Sequence, residues 1–135
     1  MDDLAFARQQ AEAIDTDQAL VEAYRLSNAG NFAEAAEFFA VSSAALVGPG
    51  AIEARLNSAL QQSNLGNFAE ARRLFAASRA DMAASPVLSR QLRNYEAMDA
   101  LNQRKASAAL AILDRPVTAN FTDVEDLRSL RIGAS

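Results

Sequence analysis

The side chains of this 135-residue chain that can do chemistry are carboxylates, guanidiniums and amides, because it contains no histidine and no cysteine. Imidazole bases, thiolate nucleophiles, disulfides and the usual zinc ligands are therefore excluded. The densest acidic group, Asp123, Glu125 and Asp126, follows Thr122 in a capping-box pattern, where acids stabilise the start of a helix. We interpret these acids as helix-capping residues, and we expect no enzymatic activity, no metal site and no cofactor.

Arginine supplies twelve of the thirteen basic side chains, and its planar guanidinium pairs with carboxylates through two parallel hydrogen bonds. Arg90 and Arg93 lie one helical turn apart on a predicted helix. They are therefore candidates for binding the carboxylate of a partner. Arg72, Arg73 and Arg79 fall on a different helix, on the side that we expect to face solvent.

The charge of the chain is unevenly distributed along the sequence. The net charge is −4, yet residues 1–54 contain nine acidic and two basic residues, and residues 55–115 contain nine basic and five acidic ones. Two interpretations remain open: ordinary scatter of solvated charge, and an arginine-lined surface that faces an acidic partner. The negative net charge and the scarcity of aromatic residues argue against a nucleic-acid partner.

No apolar run approaches the roughly 18 residues that a membrane-spanning helix needs. The first residues are acidic and amphipathic, without the basic start and apolar core of a signal peptide. The sequence therefore predicts no membrane span. It favours a cytoplasmic location. The alternative is a periplasmic location, for which a signal peptide would have been removed.

An internal repeat predicts the architecture. The segment LSNAGNFAEAAEFFAVSSA at residues 26–44 returns as QSNLGNFAEARRLFAASRA at residues 62–80, with twelve of nineteen positions identical at a displacement of 36 residues. A period of this length is typical of stacked helical repeats. Each copy contains a Gly-Asn pair, and we predict that Gly30 and Gly66 adopt a left-handed backbone conformation that ends a helix.

The whole chain, residues 1–135, is predicted to form a single all-α domain. We expect an N-terminal capping helix at residues 3–14, helical hairpins at about 17–47, 51–83 and 86–113, and a C-terminal capping helix at about 123–131. Thr16 and Ser85 are the predicted N-caps of the first and third hairpins. The third unit lacks glycine at its turn and is displaced by 37 or 38 residues from the second. Stacking would bury the apolar face that one hairpin alone leaves exposed.

The segments GNFAEAAEFF and GNFAEARRLF resemble the tetratricopeptide repeat (TPR) family over residues 17–83, and residues 86–113 resemble it more weakly. The period differs by two residues from the family spacing of about 34. The resemblance implies a right-handed solenoid of about three helical hairpins, whose first helices line a concave groove. It also implies that this groove binds a peptide or a helix of a partner protein.

The resemblance implies a set of groove-facing residues, three or four on each first helix. They are Tyr24, Ser27 and Asn28 in the first unit, Asn57, Leu60, Ser63 and Asn64 in the second, and Arg90, Arg93, Asn94 and Ala97 in the third. Tyr24 and Asn28, one turn apart, form either a hydrogen-bonding pair in the groove or ordinary surface residues. With Arg90 and Arg93, the set predicts a protein partner that is acidic or carries a carboxylate.

Residues 93–117, which contain RNYEAM and LNQRKASAALAILDRPV, resemble bacterial proteins in which such repeats precede a CHAT domain, a caspase-like protease module. The main expectation is a non-catalytic protein-interaction scaffold. The alternatives are a self-associating repeat segment, for example a homodimer, and the recognition arm of a larger protein that carries the protease-like domain outside this chain.

Overall fold

Seven α-helices make up most of the part of the chain that the structure describes. The structure is a computed structural model, and it describes residues 3–81 and 85–115. In chain order the helices are α1 (Asp3–Ala13), α2 (Thr16–Asn28), α3 (Phe32–Ala45), α4 (Pro49–Asn64), α5 (Phe68–Asp81), α6 (Pro86–Asn102) and α7 (Ala106–Asp114). No strand occurs within these described ranges, so the predicted all-α class is confirmed for them. The predicted helix at 123–131 lies outside the described residues.

None of these seven helices is long and apolar enough to cross a bilayer.

Side-chain caps define the starts of α2 and α6. The carboxylate of Asp15 accepts the backbone N–H of Gln18 at 3.0 Å, so Asp15 is the N-cap of α2 and the prediction of Thr16 was wrong by one residue. Aspartate and threonine both favour this position, and the sequence Asp-Thr-Asp offers three adjacent choices. The prediction for α6 is confirmed, because the hydroxyl of Ser85 accepts the N–H of Leu88 at 3.2 Å.

The connection between α3 and α4 lies two residues earlier than the sequence suggested. Helix α3 ends at Ala45, two residues earlier than expected, and α4 begins at Pro49, two residues before the expected position 51. Gly48 precedes it with φ +67°, a left-handed conformation that glycine adopts at little cost. Proline is well suited to the first helical position, because the N–H that it lacks would have no partner there.

The turns of the first two hairpins repeat one hydrogen-bonding motif. After α2, the N–H of Gly30 bonds to the carbonyl of Ser27 at 3.0 Å, and the N–H of Asn31 bonds to the carbonyl of Leu26 at 2.8 Å. The same two bonds form around Gly66 after α4. Gly30 has φ +82° and Gly66 has φ +84°, so the predicted left-handed glycines are confirmed. This pair of bonds is the Schellman motif, which satisfies the last carbonyls of a helix and reverses the chain.

The third hairpin uses the same motif without glycine. The N–H of Arg104 bonds to the carbonyl of Leu101 at 2.9 Å, and the N–H of Lys105 bonds to the carbonyl of Ala100 at 2.9 Å. Arg104 occupies the left-handed position with φ +62°. It lies 38 residues after Gly66, so the displacement of the third turn is the longer of the two that the sequence allowed.

Each hairpin has a buried pair of alanines, one from each helix, separated by twelve residues. Each pair belongs to a different core cluster, and the pairs are Ala23 with Ala35, Ala59 with Ala71 and Ala97 with Ala109. Phe39 and Phe75 occupy equivalent positions in the first two clusters and are 0% and 3% exposed. A small side chain lets two helix backbones approach closely, and the adjacent phenylalanine fills the remaining space.

The helix contacts extend from hairpin to hairpin. Within hairpins, α2 packs on α3, α4 on α5 and α6 on α7. Between hairpins, α4 packs against both α3 and α6, and α5 also touches α6. Helix α1 packs on α3, through Ala7 and Ala11. The helices α2, α4 and α6, each the first of its hairpin, carry all the residues that the sequence predicted for a binding groove.

Replacing Gly66 with alanine should lower the free energy of unfolding by about 1–2 kcal/mol, the cost of placing an L-residue in the left-handed region. A Cβ at this position meets no atom within 4 Å, so backbone strain is the only penalty. Chemical denaturation of Gly66→Ala measures it. Gly50→Ala is the matched control, because Gly50 lies in α4 with an ordinary φ. A loss at Gly50 equal to that at Gly66 would contradict the strain argument.

Arg104→Gly should have the opposite effect and raise the free energy of unfolding by roughly 0.5–1 kcal/mol. Glycine removes the left-handed strain of Arg104, of about 1–2 kcal/mol, and loses part of that gain through its greater freedom in the unfolded chain. The same denaturation experiment tests it. An unchanged or lower stability would show that the arginine is not strained.

Candidate functional site

The eleven predicted groove residues do not form one exposed surface. Five of them are buried, with exposed fractions of 8% or less: Asn57, Leu60, Ser63, Arg93 and Ala97. Ser27, Asn64, Arg90 and Asn94 are partly buried, and Tyr24 and Asn28 are exposed. The buried members do not offer side-chain surface to a partner in this structure. Ala97 and Leu60 are core residues. Asn57 and Ser63 contact a neighbouring helix, and Arg93 contacts Asn94 on its own helix.

A ladder of polar side chains connects α2, α4 and α6 through Asn57. The Asn57 amide donates to the hydroxyl of Tyr24 on α2 at 3.2 Å and to the backbone carbonyl of Glu53 at 3.0 Å. Its carbonyl oxygen accepts the hydroxyl of Tyr95 on α6 at 3.1 Å. Gln91 then donates to the oxygen of Tyr95 at 3.2 Å. Both amide hydrogens of Asn57 are in use, so this residue links three helices and has no donor left for a ligand.

Tyr24 anchors the first rung of this ladder. Its ring stands edge-on against Phe39, with centroids 5.0 Å apart and planes at 83°, a favourable arrangement for two aromatic rings. Burial raises the pKa of the Tyr24 phenol, and the nearby Glu53 and Tyr95 raise it further. Tyr24 is therefore a neutral hydrogen-bonding group at physiological pH. The sequence paired it with Asn28 or left it at the surface, whereas in the structure its hydroxyl bonds to Asn57.

A second polar cluster joins α4 to α6 near the hairpin turns. The hydroxyl of Ser63 donates to the carboxylate of Asp99 at 2.6 Å, and the side chain of Gln103 donates to the same carboxylate at 2.9 Å. The amide of Asn102 donates to the oxygen of Ser63 and to the carbonyl oxygen of Asn64, both at 3.0 Å. Both oxygens of Asp99 accept hydrogen bonds, so this carboxylate is a structural acceptor that links α4 to α6.

Arg93 is the charged residue that α6 buries. It is 5% exposed, and its guanidinium donates to the side-chain oxygen of Asn94 at 3.3 and 3.0 Å. Among the described residues, its hydrogen-bond acceptor is therefore a neutral amide. Burial lowers the pKa of Arg93, and the nearby cations Arg90 and Arg115 lower it further. An arginine keeps its charge at physiological pH, so the structure holds a partly desolvated cation that a carboxylate would stabilise.

The arginines of α5 are exposed, as the sequence predicted, but one of them connects two helices. Arg73 pairs with Glu70 one turn earlier at 2.5 Å. Arg79 reaches Glu96 on α6 at 2.5 Å, and Glu96 also accepts Arg115 at 3.4 Å. Arg79 and Glu96 line a cleft of about 360 Å³ between α5, α6 and α7. Exposed ion pairs of this kind contribute little stability.

Five side chains of the two polar clusters were not among those that the sequence predicted: Gln91, Tyr95, Asp99, Asn102 and Gln103. The displacement of 38 residues supplies the missing signal. It places Asn102 opposite Asn64, which itself repeats Asn28, and it places Tyr95 opposite Asn57. The sequence left this displacement open, because arginine replaces glycine at the third turn.

Among the described residues, no three potential metal-ligating side chains come together. The acids Asp123, Glu125 and Asp126, interpreted as helix-capping residues, lie outside the described ranges. The chain matches no protein-family model, no curated protein and no solved structure. The family resemblance therefore rests on the repeat residues, and it stays a hypothesis.

Asn57→Ala should lower the free energy of unfolding by about 2 kcal/mol, because it removes three hydrogen bonds and leaves two half-buried tyrosine hydroxyls without their partner. Asn28→Ala is the matched control, since Asn28 is an exposed asparagine on α2. We expect a change below about 0.5 kcal/mol there. Urea denaturation of both variants gives the comparison, and equal losses would contradict the linking role of Asn57.

Proposed function

We propose that this chain is a non-catalytic helical-repeat scaffold of the tetratricopeptide type, which binds an acidic segment of a partner protein. The repeated architecture has three supports. The reversing motif recurs at Gly30, Gly66 and Arg104, each hairpin buries an alanine pair twelve residues apart, and helices contact in chain order from hairpin to hairpin. The proposal includes a right-handed solenoid of three hairpins, with α1 as the cap of its first end.

The binding surface in this proposal is the face formed by the first helices α2, α4 and α6. The polar residues of this face that are partly or wholly exposed include Tyr24, Asn28, Asn64, Arg90, Asn94 and Asn102. Asparagine amides both donate and accept, so they can bond to the backbone of an extended peptide. The Asn57 ladder and the second polar cluster hold these three helices together. This limits the conformational entropy that the protein loses when it binds a partner.

The observation that carries the choice of an acidic partner is the burial of Arg93. A desolvated guanidinium beside Arg90 and Arg115, with the Asn94 amide as its acceptor in the described structure, favours an anion at this place. A carboxylate at the partly exposed Arg90 would offset the like-charge repulsion among these arginines and form charge-assisted hydrogen bonds there. The neighbouring asparagines would then orient the chain that carries the carboxylate.

The absence of catalysis in this proposal agrees with the chemistry of the face. The chain has no histidine or cysteine, so a proton-transfer role would fall to a carboxylate. Asp99, the carboxylate at the α4–α6 junction, already accepts the Ser63 hydroxyl and the Gln103 amide. Both of its oxygens are therefore already engaged in hydrogen bonds with other side chains of the protein.

Fluorescence anisotropy with a labelled peptide of alternating Glu and Leu tests the proposal. We expect a dissociation constant of about 1–100 µM, typical of a small transient interface. The same peptide with Gln in place of Glu should bind roughly tenfold more weakly, because it cannot form charge-assisted bonds. Equal affinity for the two peptides would contradict a carboxylate-binding face.

A matched pair of double variants then locates the site. Arg90→Gln with Asn64→Ala changes two residues of the proposed face and should weaken binding roughly tenfold. Arg72→Gln with Asn67→Ala makes the same chemical changes on α5 and at the turn before it, and should leave affinity unaltered. Thermal melts of both variants check that they fold. A loss of binding in the second variant, but not in the first, would place the site on the other side of the molecule.

A further inference from the structure

Helix α7 leaves most of its apolar surface uncovered. Its sequence, Ala106–Asp114, is almost entirely apolar, yet Ala109 is the only residue of this helix that is fully buried. Leu110 is 58% exposed, and Ala106 and Ala111 are also exposed. An apolar helix of this kind normally packs against a second element. The uncovered side around Leu110, at the C-terminal end of the described hairpins, is named the Leu110 face.

An open cleft of about 440 Å³ lies among the first three helices, α1, α2 and α3, at the other end of the described hairpins. Its lining is apolar at the centre and polar at the edge: Ala13, Ile14 and Phe38, then Gln10, Gln18 and Glu22. This α1–α3 cleft has room for a leucine side chain and the helix surface around it.

The two ends also carry opposite charge. The cleft belongs to residues 1–54, with nine acidic and two basic residues, and the Leu110 face belongs to residues 55–115, with nine basic and five acidic ones. Asp15 and Asp17 are exposed near the cleft, and Arg104 and Lys105 are exposed directly before α7. Opposite charges at two surfaces steer their encounter, and they favour this orientation over one that pairs like surfaces.

We infer that this protein associates head to tail with copies of itself, the Leu110 face of one copy docking into the α1–α3 cleft of the next. Contact between two Leu110 faces is disfavoured, because it would bring Arg104 and Lys105 of both copies together. A head-to-tail contact uses two different surfaces, so each added copy leaves one of each exposed and the assembly grows as a chain unless it closes into a ring. This contact is separate from the peptide-binding face proposed on α2, α4 and α6.

Sedimentation velocity of the full chain, over a range of protein concentrations, tests this inference. At ~50 mM salt the average mass should rise with concentration, and at ~500 mM salt it should fall towards that of the monomer, because salt screens the attraction. A chain that stays monomeric at low salt would overturn the inference.

Two variants block one end each and should both be monomeric. Ala13→Arg fills the cleft with a cation at an exposed helix end, where a positive charge suits the helix dipole. Leu110→Glu removes the apolar contact and keeps a good helix former. Val87→Glu is the control, since Val87 is as exposed as Leu110, at 58%, and lies on α6 away from both surfaces. Its association should match that of the unmodified chain, and a loss there would overturn the assignment.

Mixing the two blocked variants gives the decisive result. Ala13→Arg retains a working Leu110 face and Leu110→Glu retains a working cleft, so the mixture should form a dimer of one copy of each and nothing larger. A mixture that stays monomeric would overturn the head-to-tail contact. Association by Ala13→Arg alone would point to two Leu110 faces and would overturn it as well. Circular dichroism checks the fold, and Ala106→Glu serves as a second variant of the same face.

Discussion

The close approach of two helices at a pair of alanines is the constraint on which the rest of this structure depends. Ala23 with Ala35, Ala59 with Ala71 and Ala97 with Ala109 each lie in the core cluster of one hairpin. A larger side chain at any of these positions would force the two helices of that hairpin apart. The constant separation of twelve residues sets the same distance from turn to contact in each hairpin.

Uniform hairpins place their first helices near enough for short polar side chains to meet. Asparagine, serine and tyrosine then connect α2, α4 and α6 directly, as Asn57 does with Tyr24 and Tyr95. Polar groups that are half-buried at a helix junction must find partners, and these find them in one another. The side chains that remain accessible on this face are exposed amides, and Arg93 is buried beside a neutral acceptor.

A series of repeated hairpins has a first and a last member, each with one neighbouring hairpin. A stack of hairpins buries its surfaces in succession and leaves the first and last ones uncovered unless something caps them. Helix α1 covers part of the first hairpin through Ala7 and Ala11, and α7 retains an exposed apolar side. Exposed acids, Asp15 and Asp17, lie near the first end, and exposed bases, Arg104 and Lys105, lie near the last. Each end therefore has both apolar surface and charge, which a count of charges along the sequence does not show.

Local signals in the sequence predicted the helical elements and much of the core. The Gly-Asn pairs specify the turns, because only a residue that tolerates positive φ ends a helix in this manner, and Gly30 and Gly66 do so. The repeat also places Phe39 and Phe75 at equivalent positions, and both are buried. Where several residues satisfy the same local preference, as at Asp15 and Thr16, the prediction was wrong by one position.

The tertiary structure alone decided which polar residues face a neighbour and which face water. Asn28 and Asn57 are the same residue type on equivalent helices, yet one is exposed and the other makes three hydrogen bonds. Arg104 adopts the left-handed conformation of a glycine because the hairpin around it requires the reversal. The hydrogen bonds of Asn57 depend on partners 33 and 38 residues away in the chain. Periodicity and capping patterns describe preferences within a few residues, so they do not contain this information.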